Sequence, residues 1–298
     1  MSFPQRVTGV VRLLRPAQWA KNVFVLLPVF FSGSLTDVAV LRDALVAFVS
    51  FCMASSAVYC LNDVMDVEAD RQHPVKCKRP VASGAVGRVE AIIIMLLLAV
   101  GSAAMMLLLP ESHRFYSWVI LGVYLVLQVL YCLWLKHFAL VDMLVVATGF
   151  VLRVGMGGTA CGIWVSQWIV LMTFLLALFL VLSKRRDDVV IYRRTGRQPR
   201  RNTHRYNLEF IDQVTILVAT TTLVCYIMYT VSPEVTERFH TEMLSVTALY
   251  VLAGIMRYIQ LMVVDQKGGS PTKILWRDPF IYVCVIAWAL TFAGIIYL

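Results

Sequence analysis

The chain has little charge, and this shortage limits what kind of protein it is. Only 15% of its 298 residues are Asp, Glu, Lys or Arg, whereas 59% are hydrophobic. Its mean hydropathy is +0.75. Such a composition excludes an ordinary soluble domain. We therefore predict an all-α, polytopic membrane protein.

Paired cysteine motifs and long polar connections are also missing. The seven cysteines are scattered, mostly inside apolar runs, and no two are spaced as Cys-x-x-Cys. This pattern implies neither a disulfide framework nor a zinc site. The longest connection between apolar runs is about 26 residues, so no separate soluble domain fits. We predict a single transmembrane domain over residues 1–298.

Nine apolar runs are long enough to cross a bilayer as helices. They cover roughly residues 18 to 34, 42 to 62, 88 to 109, 115 to 135, 139 to 158, 166 to 183, 210 to 231, 243 to 264 and 279 to 298. The first run is the least regular, because Lys21, Asn22 and Pro28 interrupt it. The sequence therefore predicts a bundle of nine transmembrane helices.

The segment before the first run has a different pattern. In residues 1–16, Arg6, Arg12 and Arg15 are interleaved with apolar residues. This spacing is typical of an amphipathic helix that lies in the membrane interface, rather than of a cleavable signal. Pro16 is expected to end the helix.

Basic residues fall mainly on one side of the predicted bundle. If the N-terminus is cytoplasmic, 22 of the 27 lysines and arginines lie in cytoplasmic segments, and only Arg42, Arg114 and Arg238 lie outside. The positive-inside rule then places the N-terminus in the cytoplasm and the C-terminus outside. Residues 63–87 and 184–209 become cytoplasmic loops, and we predict that they form the active site.

An acidic motif follows the second apolar run. Asn62, Asp66 and Asp70 recur at i, i+4 and i+8, with Asp63 beside them. On a continuous helix these four oxygen-bearing side chains share one face. Crowded carboxylates repel one another unless a cation lies among them, and hard oxygen ligands suit Mg²⁺ that bridges to phosphates. The alternative is a solvated helix end that only terminates the run.

A second charged cluster follows the sixth run. Lys184, Arg185 and Arg186 precede the acidic pair Asp187-Asp188. Their cationic groups suit a metal-bridged diphosphate, since they neutralise charge on a leaving group. A salt-bridged helix end is the alternative. The net charge of +9 could suggest nucleic acid, but a basic loop between spans favours anionic lipid or a phosphorylated substrate, so no nucleic-acid partner is predicted.

Two arginines lie inside predicted spans. Arg153 is in the fifth run and Arg257 in the eighth. A charge within a membrane generally marks a functional path, although it can also pair with a buried carboxylate to hold helices together. Near Arg153, the three small residues Gly155, Gly157 and Gly158 predict close helix packing.

Polar residues also follow one face of the fourth run. Tyr124, Gln128 and Tyr131 share this face, which either lines a cavity or bonds to a neighbouring helix. Tyr131 and Lys136 can both point toward the cytoplasmic mouth if the helix ends between them.

These motifs carry a resemblance to a known family. Asn62-x-x-x-Asp66-x-x-x-Asp70, together with Asp187-Asp188, resembles the UbiA superfamily of intramembrane prenyltransferases. Three segments resemble more narrowly its decaprenyl-phosphate phosphoribosyltransferase branch: residues 15–22, residues 66–71 running into His73-Pro74 and Arg79-Pro80, and residues 131–137. The resemblance covers nearly the whole chain.

The chain departs from the superfamily pattern at two places. Ile191 and Tyr192 stand four residues after the second acidic pair, where a D-x-x-x-D motif would have an acid. The tyrosine–lysine pair is five residues apart rather than four.

The resemblance implies an enzyme that transfers 5-phosphoribosyl from phosphoribosyl pyrophosphate to a decaprenyl-type polyprenyl phosphate. It implies Mg²⁺ as cofactor, release of pyrophosphate, and a role in making lipid-linked arabinose for the cell wall. It further implies a multi-pass protein of a bacterial-type inner membrane, in contact with membrane lipid, whose active site faces the cytoplasm. Homo-oligomerisation stays open.

The charges at the predicted cytoplasmic mouth suit such a reaction, because two phosphates of like charge must be held close together. We predict Asn62, Asp63, Asp66 and Asp70 as metal ligands. The predicted catalytic residues are Asp63, Asp66, Lys184 and Arg185. Asn62 is also predicted to bind substrate, with Lys21, Arg79, Tyr131, Lys136, Arg153 and Asp188.

Two other functions stay open from the sequence. The first is prenyl transfer from a polyprenyl diphosphate to an aromatic or other acceptor, which would use the same acidic motif. The second is a transporter of a lipid-linked or phosphorylated solute, supported by Arg153 and the polar face of the fourth run. No inverted internal repeat encourages the transporter hypothesis.

Overall fold

The fold was described from a computed structural model. It describes residues 3–72, 75–196, 199, 202–268, 274 and 277–297. All regular secondary structure in these ranges is helical. The α-helices are α1 Phe3–Leu14, α2 Leu27–Phe31, α3 Val38–Met65, α4 Val67–Arg71, α5 Arg88–Met105, α6 Glu111–Leu133, α7 Val141–Cys161, α8 Gln167–Thr195, α9 Leu208–Thr230, α10 Pro233–Phe239, α11 Ala248–Val263 and α12 Pro279–Tyr297.

Eight helical stretches in the described ranges are long and apolar enough to cross a membrane. They are Val38–Met65, Arg88–Leu108, Glu111–Leu133, Val141–Cys161, Gln167–Thr195, Leu208–Thr230, Met243–Val263 and Pro279–Tyr297. The predicted all-α, multi-pass architecture is therefore confirmed.

The predicted count of nine spans is not confirmed, and the difference lies in the first run, 18 to 34. A 3₁₀ helix occupies Pro16–Leu26, and the short α2 follows it directly. Pro28 lies in the first turn of α2, where its missing N–H costs no helix hydrogen bond. The interruptions noted in the sequence thus coincide with a change of helix type.

The N-terminal helix ends where the sequence predicts. α1 stops at Leu14, and Arg15 takes a left-handed conformation with φ 51° directly before Pro16. A residue before proline is disfavoured in the right-handed helical region, so the helix cannot continue through Arg15. Leu13 is buried against residues of α3 and of the segment before α5, whereas Val7 and Val11 are exposed. Its location in the membrane interface remains a prediction.

Contacts divide the chain into two compact units. Unit 1 contains Met1–Lys136 and Gly149–Val165, and unit 2 contains His137–Thr148 and Ser166–Leu298. Helix α7 therefore contributes its first part to unit 2 and its remainder to unit 1. A single domain over residues 1–298 remains a prediction.

The core of unit 1 forms where α3 packs against α5, α6 and the 3₁₀ helix. Small residues of α7 let it approach the 3₁₀ helix and the segment after α7 closely, as the sequence predicts. A methyl group on Gly157 would lie 1.8 Å from the carbonyl oxygen of Val25. A methyl group on Gly158 would lie 2.3 Å from Val165 Cγ2. Both positions therefore admit only glycine without movement of a neighbour.

In unit 2, helices α8 and α9 pack side by side and share a core with α11. Tyr206, Tyr258 and Phe179 contribute buried rings to this core. All seven cysteines of the chain are free thiols, six of them buried, which agrees with the predicted lack of disulfides.

Candidate active site

The acidic motif of unit 1 lies at a break between two helices. Asn62 and Asp63 are in the last turn of α3, Asp66 links the helices with φ −91° and ψ 6°, and Asp70 is in α4. The prediction of one continuous helical face is wrong at Asp66, because the backbone leaves helical geometry there. Even so, Asp66 N–H still bonds to the Asn62 carbonyl, and Asp70 N–H to the Asp66 carbonyl.

Burial differs among the four side chains. Asp63 is 1% exposed and Asp70 is 3% exposed. Asn62 and Asp66 are half-buried. Buried carboxylates need charged or hydrogen-bonding partners, since transfer of an unpaired charge out of water is costly.

Basic side chains supply these partners. Arg15 Nη2 lies 2.5 Å from Asp63 Oδ1. Arg79 Nη1 lies 2.7 Å from Asp70 Oδ2 and 3.5 Å from Asp63 Oδ1. Lys136 Nζ lies 2.7 Å from Asp66 Oδ1. Each of the three aspartates of the motif is thus paired with a cation, and we call these six residues the Asp63 cluster.

The predicted Mg²⁺ ligands of the Asp63 cluster fit a divalent ion by their chemistry. Three carboxylates and one amide oxygen form the hard donor set that Mg²⁺ prefers. Asp63 Oδ2 is buried and has no hydrogen-bond partner in the described part of the chain, so one ligand oxygen is not committed to another contact. In the same ranges, no three His, Cys, Asp or Glu side chains are grouped so that they could hold a metal ion, so the donor types fit Mg²⁺ while the predicted ligand set as a whole is not formed.

Lys136 reaches the cluster because helix α6 ends early. The helix stops at Leu133, between Tyr131 and Lys136. This is the condition under which the sequence predicts that both side chains point toward the same end of the bundle. Lys136 then follows in a short 3₁₀ turn and contacts Asp66. Tyr131 is half-buried and packs against the core of unit 1.

Sequence reasoning missed the contact that Arg15 makes. It treated Arg15 as part of an interfacial helix and of a family motif, yet the side chain forms an ion pair with Asp63. The guanidinium also lies 4.8 Å from the centre of the Tyr59 ring. Local periodicity could not reveal this contact, since Arg15 and Asp63 are 48 residues apart. The only local signal was the Arg-Pro pair that turns the chain.

Arg153 occupies a separate buried position in unit 1. It is 7% exposed, and its Nε donates to Asn22 Oδ1 at 2.8 Å. Nη1 donates to the Gly149 carbonyl at 2.7 Å, and Nη2 to the Tyr124 hydroxyl at 3.2 Å. Tyr124 therefore bonds to a neighbouring helix, as one of the two interpretations of its face predicts for this residue. Lys21, adjacent to Asn22, is half-buried.

The charged cluster of unit 2 lies on a helix rather than in a loop. α8 continues to Thr195, so the prediction that residues 184–209 form a loop is wrong for 184–195. The helix continues because no proline or glycine interrupts it before Gly196, which ends it with φ 67°. Residues 197, 198, 200 and 201 of the predicted loop lie outside the described ranges, as do His73 and Pro74 of the first loop.

Arg185 is the centre of this second cluster. It is 3% exposed, its Nη2 lies 2.8 Å from Asp142 Oδ2, and its Nη1 lies 3.0 Å from Asp188 Oδ2. Lys184 is exposed. Sequence reasoning did not assign Asp142 to the site, although it binds Arg185 most closely. We call Asp142, Arg185, Asp188 and Tyr206 the Arg185 cluster.

Tyr206, which follows the short 3₁₀ helix Thr203–Arg205, also contacts Asp142 of the Arg185 cluster. Its hydroxyl accepts a hydrogen bond from Leu140 N–H at 2.7 Å and lies 3.4 Å from Asp142 Oδ1. Burial raises the pKa of the Tyr206 hydroxyl, while the Leu140 hydrogen bond acts in the opposite direction. The side chain is therefore a neutral phenol that both donates and accepts.

The other cations near the helix ends have structural partners. Arg186 pairs with Asp212 at 2.7 Å and donates to the Met262 carbonyl near the end of α11. Arg257 pairs with Asp278 at 2.8 Å. Both arrangements tie neighbouring helices together, as the structural interpretation of Arg257 predicts.

An arrangement of buried carboxylates and cations at the ends of membrane-spanning helices defines a multi-pass membrane protein with a charged, phosphate-compatible site. The chain matches the UbiA prenyltransferase family over residues 23–282. It therefore belongs to the UbiA prenyltransferase family, and it is a transferase rather than the transporter considered above.

Two similar proteins indicate which kind of UbiA-family transferase the chain resembles. The chain is 34% identical to the decaprenyl-phosphate phosphoribosyltransferase of Mycolicibacterium smegmatis, over 98% of this chain and 93% of that protein. It is 35% identical to the Mycobacterium tuberculosis protein of the same name, over 96% of this chain and 93% of that protein. These proteins carry the name of the branch that the sequence motifs resemble.

Solved structures share the fold. A UbiA homolog from Archaeoglobus fulgidus bound to GPP and Mg²⁺ superposes with a TM-score of 0.70 at 18% identity, covering 97% of this chain and all of that one. At this identity the likeness shows the fold alone, which is the predicted UbiA-like helical fold.

Proposed function

We propose that the chain transfers 5-phosphoribosyl from phosphoribosyl pyrophosphate to a decaprenyl-type polyprenyl phosphate and releases pyrophosphate. The observation that carries the proposal is the Asp63 cluster, in which each of the three carboxylates of the motif is paired with a cation. The 34–35% identity to decaprenyl-phosphate phosphoribosyltransferases over nearly the whole chain supports this choice of substrates.

In this reaction the bond between the anomeric carbon and pyrophosphate breaks, and a bond from that carbon to a lipid phosphate oxygen forms. The attacking oxygen is already anionic, so no strong general base is required. Charge develops on the departing pyrophosphate, and preorganised cations that meet it supply the main catalytic term. The chain must therefore hold two anionic substrates in line and neutralise them.

The Asp63 cluster provides both types of group. Asn62, Asp63, Asp66 and Asp70 would hold Mg²⁺, which when bound neutralises charge on the pyrophosphate oxygens. Arg79 contacts Asp63 and Asp70, and Lys136 contacts Asp66. Their remaining N–H groups are assigned to phosphate oxygens. An arginine fork suits a phosphate better than a single point charge does, which favours Arg79 for the bidentate contact.

The remaining predicted residues are assigned by charge and position within their own units. Lys184 is exposed and is assigned to a substrate phosphate. Arg185 is held between Asp142 and Asp188 and is assigned to orienting the same phosphate. Arg153 and Lys21 are assigned to the phosphate of the lipid or of the ribose. Tyr131 packs near the end of α6 and is assigned to the substrate wall.

The decisive experiment uses purified protein, labelled phosphoribosyl pyrophosphate, Mg²⁺ and polyprenyl phosphate. We expect a labelled product that extracts with lipid and that disappears when the metal is chelated. Asp66→Asn should reduce turnover by about 10²–10³-fold, the usual scale for loss of a key electrostatic group. Glu68→Gln is the matched control, because Glu68 is exposed and pairs with Arg71 and Arg88 outside the cluster. Equal activity in the two variants would contradict the proposal.

A second matched pair tests the cations. Arg79 bridges Asp63 and Asp70, whereas its neighbour Lys78 is exposed. Arg79→Gln should lose most activity and Lys78→Gln should keep it. Loss of activity in both would point to a diffuse electrostatic effect instead of a defined phosphate contact.

Prenyl transfer to an aromatic acceptor is the second candidate function. The observation that favours it is the shared fold with the UbiA homolog solved with GPP and Mg²⁺. Label that passes from a prenyl diphosphate into an aromatic acid, without any label from phosphoribosyl pyrophosphate entering lipid, would establish this alternative.

We further propose that the Asp63 cluster faces the cytoplasm of a bacterial-type cell. The 3₁₀ helix and α2 together are at most about 30 Å long, at about 2.0 and 1.5 Å per residue, which is enough to span a bilayer core if they are collinear. If this pair crosses, the two chain ends lie on opposite sides; if it does not, they lie on the same side. Reporter fusions at both ends decide between nine and eight crossings and test the orientation.

A further inference from the structure

A strained turn leads into helix α7 in unit 2. Val141 N–H donates to the Ala139 carbonyl at 2.8 Å, across Leu140, whose φ is 65°. A three-residue turn with positive φ at its centre is the rare, strained form of γ-turn, and leucine is disfavoured in this region. The Leu140 side chain is exposed, so its own packing does not account for the conformation.

Tyr206 holds this turn in place. Its hydroxyl accepts the Leu140 N–H at 2.7 Å. The ring is buried in the core of unit 2 and stacks against Phe210. A buried ring with a directed hydroxyl fixes the backbone of Leu140 from a segment 66 residues later in the chain. Strained backbone of this kind persists only where surrounding contacts determine it, and it is concentrated at functional sites.

The turn determines where Asp142 lies. Asp142 is the second residue of α7 and is fully buried. Its Oδ2 accepts from Arg185 Nε at 3.0 Å, and its Oδ1 lies 3.4 Å from the Tyr206 hydroxyl. Arg185 in turn donates from Nη1 to Asp188 Oδ2 at 3.0 Å. A direct line of contacts therefore leads from Tyr206 through Asp142 to Arg185 and Asp188.

We propose that Tyr206 is a positioning residue, which holds the Leu140 turn so that Asp142 keeps Arg185 and Asp188 in place within the Arg185 cluster, and we assign this cluster to binding a phosphate group of the sugar donor. This inference rests on the proposed function. Tyr206 contacts no substrate in this scheme. Its hydroxyl acts through the turn, and its ring acts only in packing.

The test separates the hydroxyl from the ring. Tyr206→Phe keeps the ring and removes the hydroxyl, and we expect the KM for phosphoribosyl pyrophosphate to rise about tenfold, the fold-change that corresponds to loss of one hydrogen bond. The kcat should fall by less than about threefold, and the KM for polyprenyl phosphate should not change.

Tyr226→Phe is the matched control. Tyr226 is also a buried tyrosine of unit 2, and its hydroxyl bonds to Thr247 and Trp288, each at 2.6 Å. Its loss should lower thermal stability at least as much as Tyr206→Phe does, yet leave both KM values within about twofold. A parallel rise in the donor KM for the two variants would mean that lost stability alone explains the effect, and the inference would be overturned.

A rescue experiment tests the route through the turn. Glycine adopts positive φ at no cost, so Leu140→Gly removes the strain that the Tyr206 hydroxyl offsets. We expect the Tyr206→Phe/Leu140→Gly double variant to recover most of the donor KM. Failure of this rescue would show that the turn does not transmit the effect.

Binding of Mg²⁺-pyrophosphate, measured by calorimetry without turnover, separates this inference from the proposed function. If wild type fails to turn over phosphoribosyl pyrophosphate but binds pyrophosphate about tenfold more tightly than Tyr206→Phe, the proposed function falls and the positioning role stands. If the variant binds pyrophosphate as wild type does, or if wild type binds none, the positioning role is overturned.

Discussion

Arg153 and Arg257 both lie within membrane-spanning helices, and their surroundings differ in one respect. Arg257 makes an ion pair with a carboxylate, with Nη2 and Nε 2.8 and 3.2 Å from the same oxygen, Asp278 Oδ2. Arg153 contacts only neutral oxygens, and the described residues place no carboxylate within ion-pair distance of it. Its guanidinium lies instead 5.1 to 5.6 Å from three aromatic ring centres, those of Phe51, Tyr124 and Phe150.

The two arginines therefore differ in whether a carboxylate of the protein balances their charge. Arg257 has its own counter-ion at the start of α12, where Asp278 also accepts the Ile281 N–H and caps the helix. Around Arg153, each ring face contributes about 0.5–2 kcal/mol and orients the guanidinium without neutralising it. The sequence leaves both residues ambiguous, whereas their contacts differ. If the proposed function is correct, Arg153 is the one that binds a substrate phosphate.

The largest expected effect is that of removing the Arg153 charge. Arg153→Met should reduce kcat/KM by about 10²–10³-fold, because a buried phosphate would lose its cation. Arg257→Met should keep activity within about threefold. Steady-state kinetics on both variants, with thermal unfolding to confirm that each is folded, check this expectation. Similar activity losses in the two folded variants would remove the distinction between the arginines.

A second variant makes Arg153 resemble Arg257. Asn22→Asp places a carboxylate where Arg153 Nε now meets an amide oxygen at 2.8 Å. The new ion pair should neutralise the charge of Arg153, so we expect kcat/KM to fall about 10–100-fold without loss of thermal stability. Asn22→Ser, which adds no charge, is the control and should retain more activity. Full activity in Asn22→Asp would show that Arg153 needs no free charge.

Removal of one neutral partner sharpens the comparison further. Tyr124→Phe keeps the ring beside Arg153 and removes the hydroxyl that accepts from Nη2 at 3.2 Å. We expect about a three- to tenfold loss in kcat/KM, since a hydrogen bond to a charged group contributes about 1.5–3 kcal/mol at most and two other acceptors remain. Tyr116→Phe, at an exposed position on the same helix, should be neutral. An equal effect in both variants would exclude a specific contact.

The smallest effect on catalysis should come from Asp278→Asn. Asparagine preserves the helix cap but removes the counter-ion of Arg257, so we expect unchanged activity and a thermal midpoint lowered by a few degrees at neutral pH. The hydrogen bonds from Arg257 hold the pKa of Asp278 below its usual value. The stabilisation is therefore present above the ordinary carboxyl pKa of about 3.9 and is lost as the pH falls through the lowered value. Melting curves of both proteins should converge under acid conditions, and a constant difference would contradict the ion-pair account.

The comparison also shows which parts of the molecule local sequence can predict. Hydropathy located the crossing helices because a bilayer selects long apolar runs, and Pro16 marked the end of α1 correctly. Predicted helix boundaries were less accurate where no proline or glycine marks the observed break, or where a change from apolar to charged residues does not end a helix. Asp66 interrupts the acidic face without a glycine or proline, and α8 runs on past Ser183 although its composition changes from apolar to charged there.

Partners at long range were the part that could not be predicted. Motif spacing identified Asp63, Asp66 and Asp70, but not that Arg15 binds Asp63 or that Asp142 binds Arg185. Each of these pairs joins residues more than 40 positions apart, and no periodicity connects them. The roles of the site residues therefore remain proposals that the variants above can test.

Because Gly157 has no side chain, it affects the surroundings of the charged residue Arg153. Because Gly157 lets the Val25 carbonyl approach α7 so closely, the 3₁₀ helix lies near enough for the Asn22 amide to reach Arg153. A single added methyl would push this segment outward and separate the two groups. The electrostatic state of the bundle interior thus depends on an uncharged residue one helical turn away, and a survey of tolerated substitutions should find position 157 as intolerant as the arginine itself.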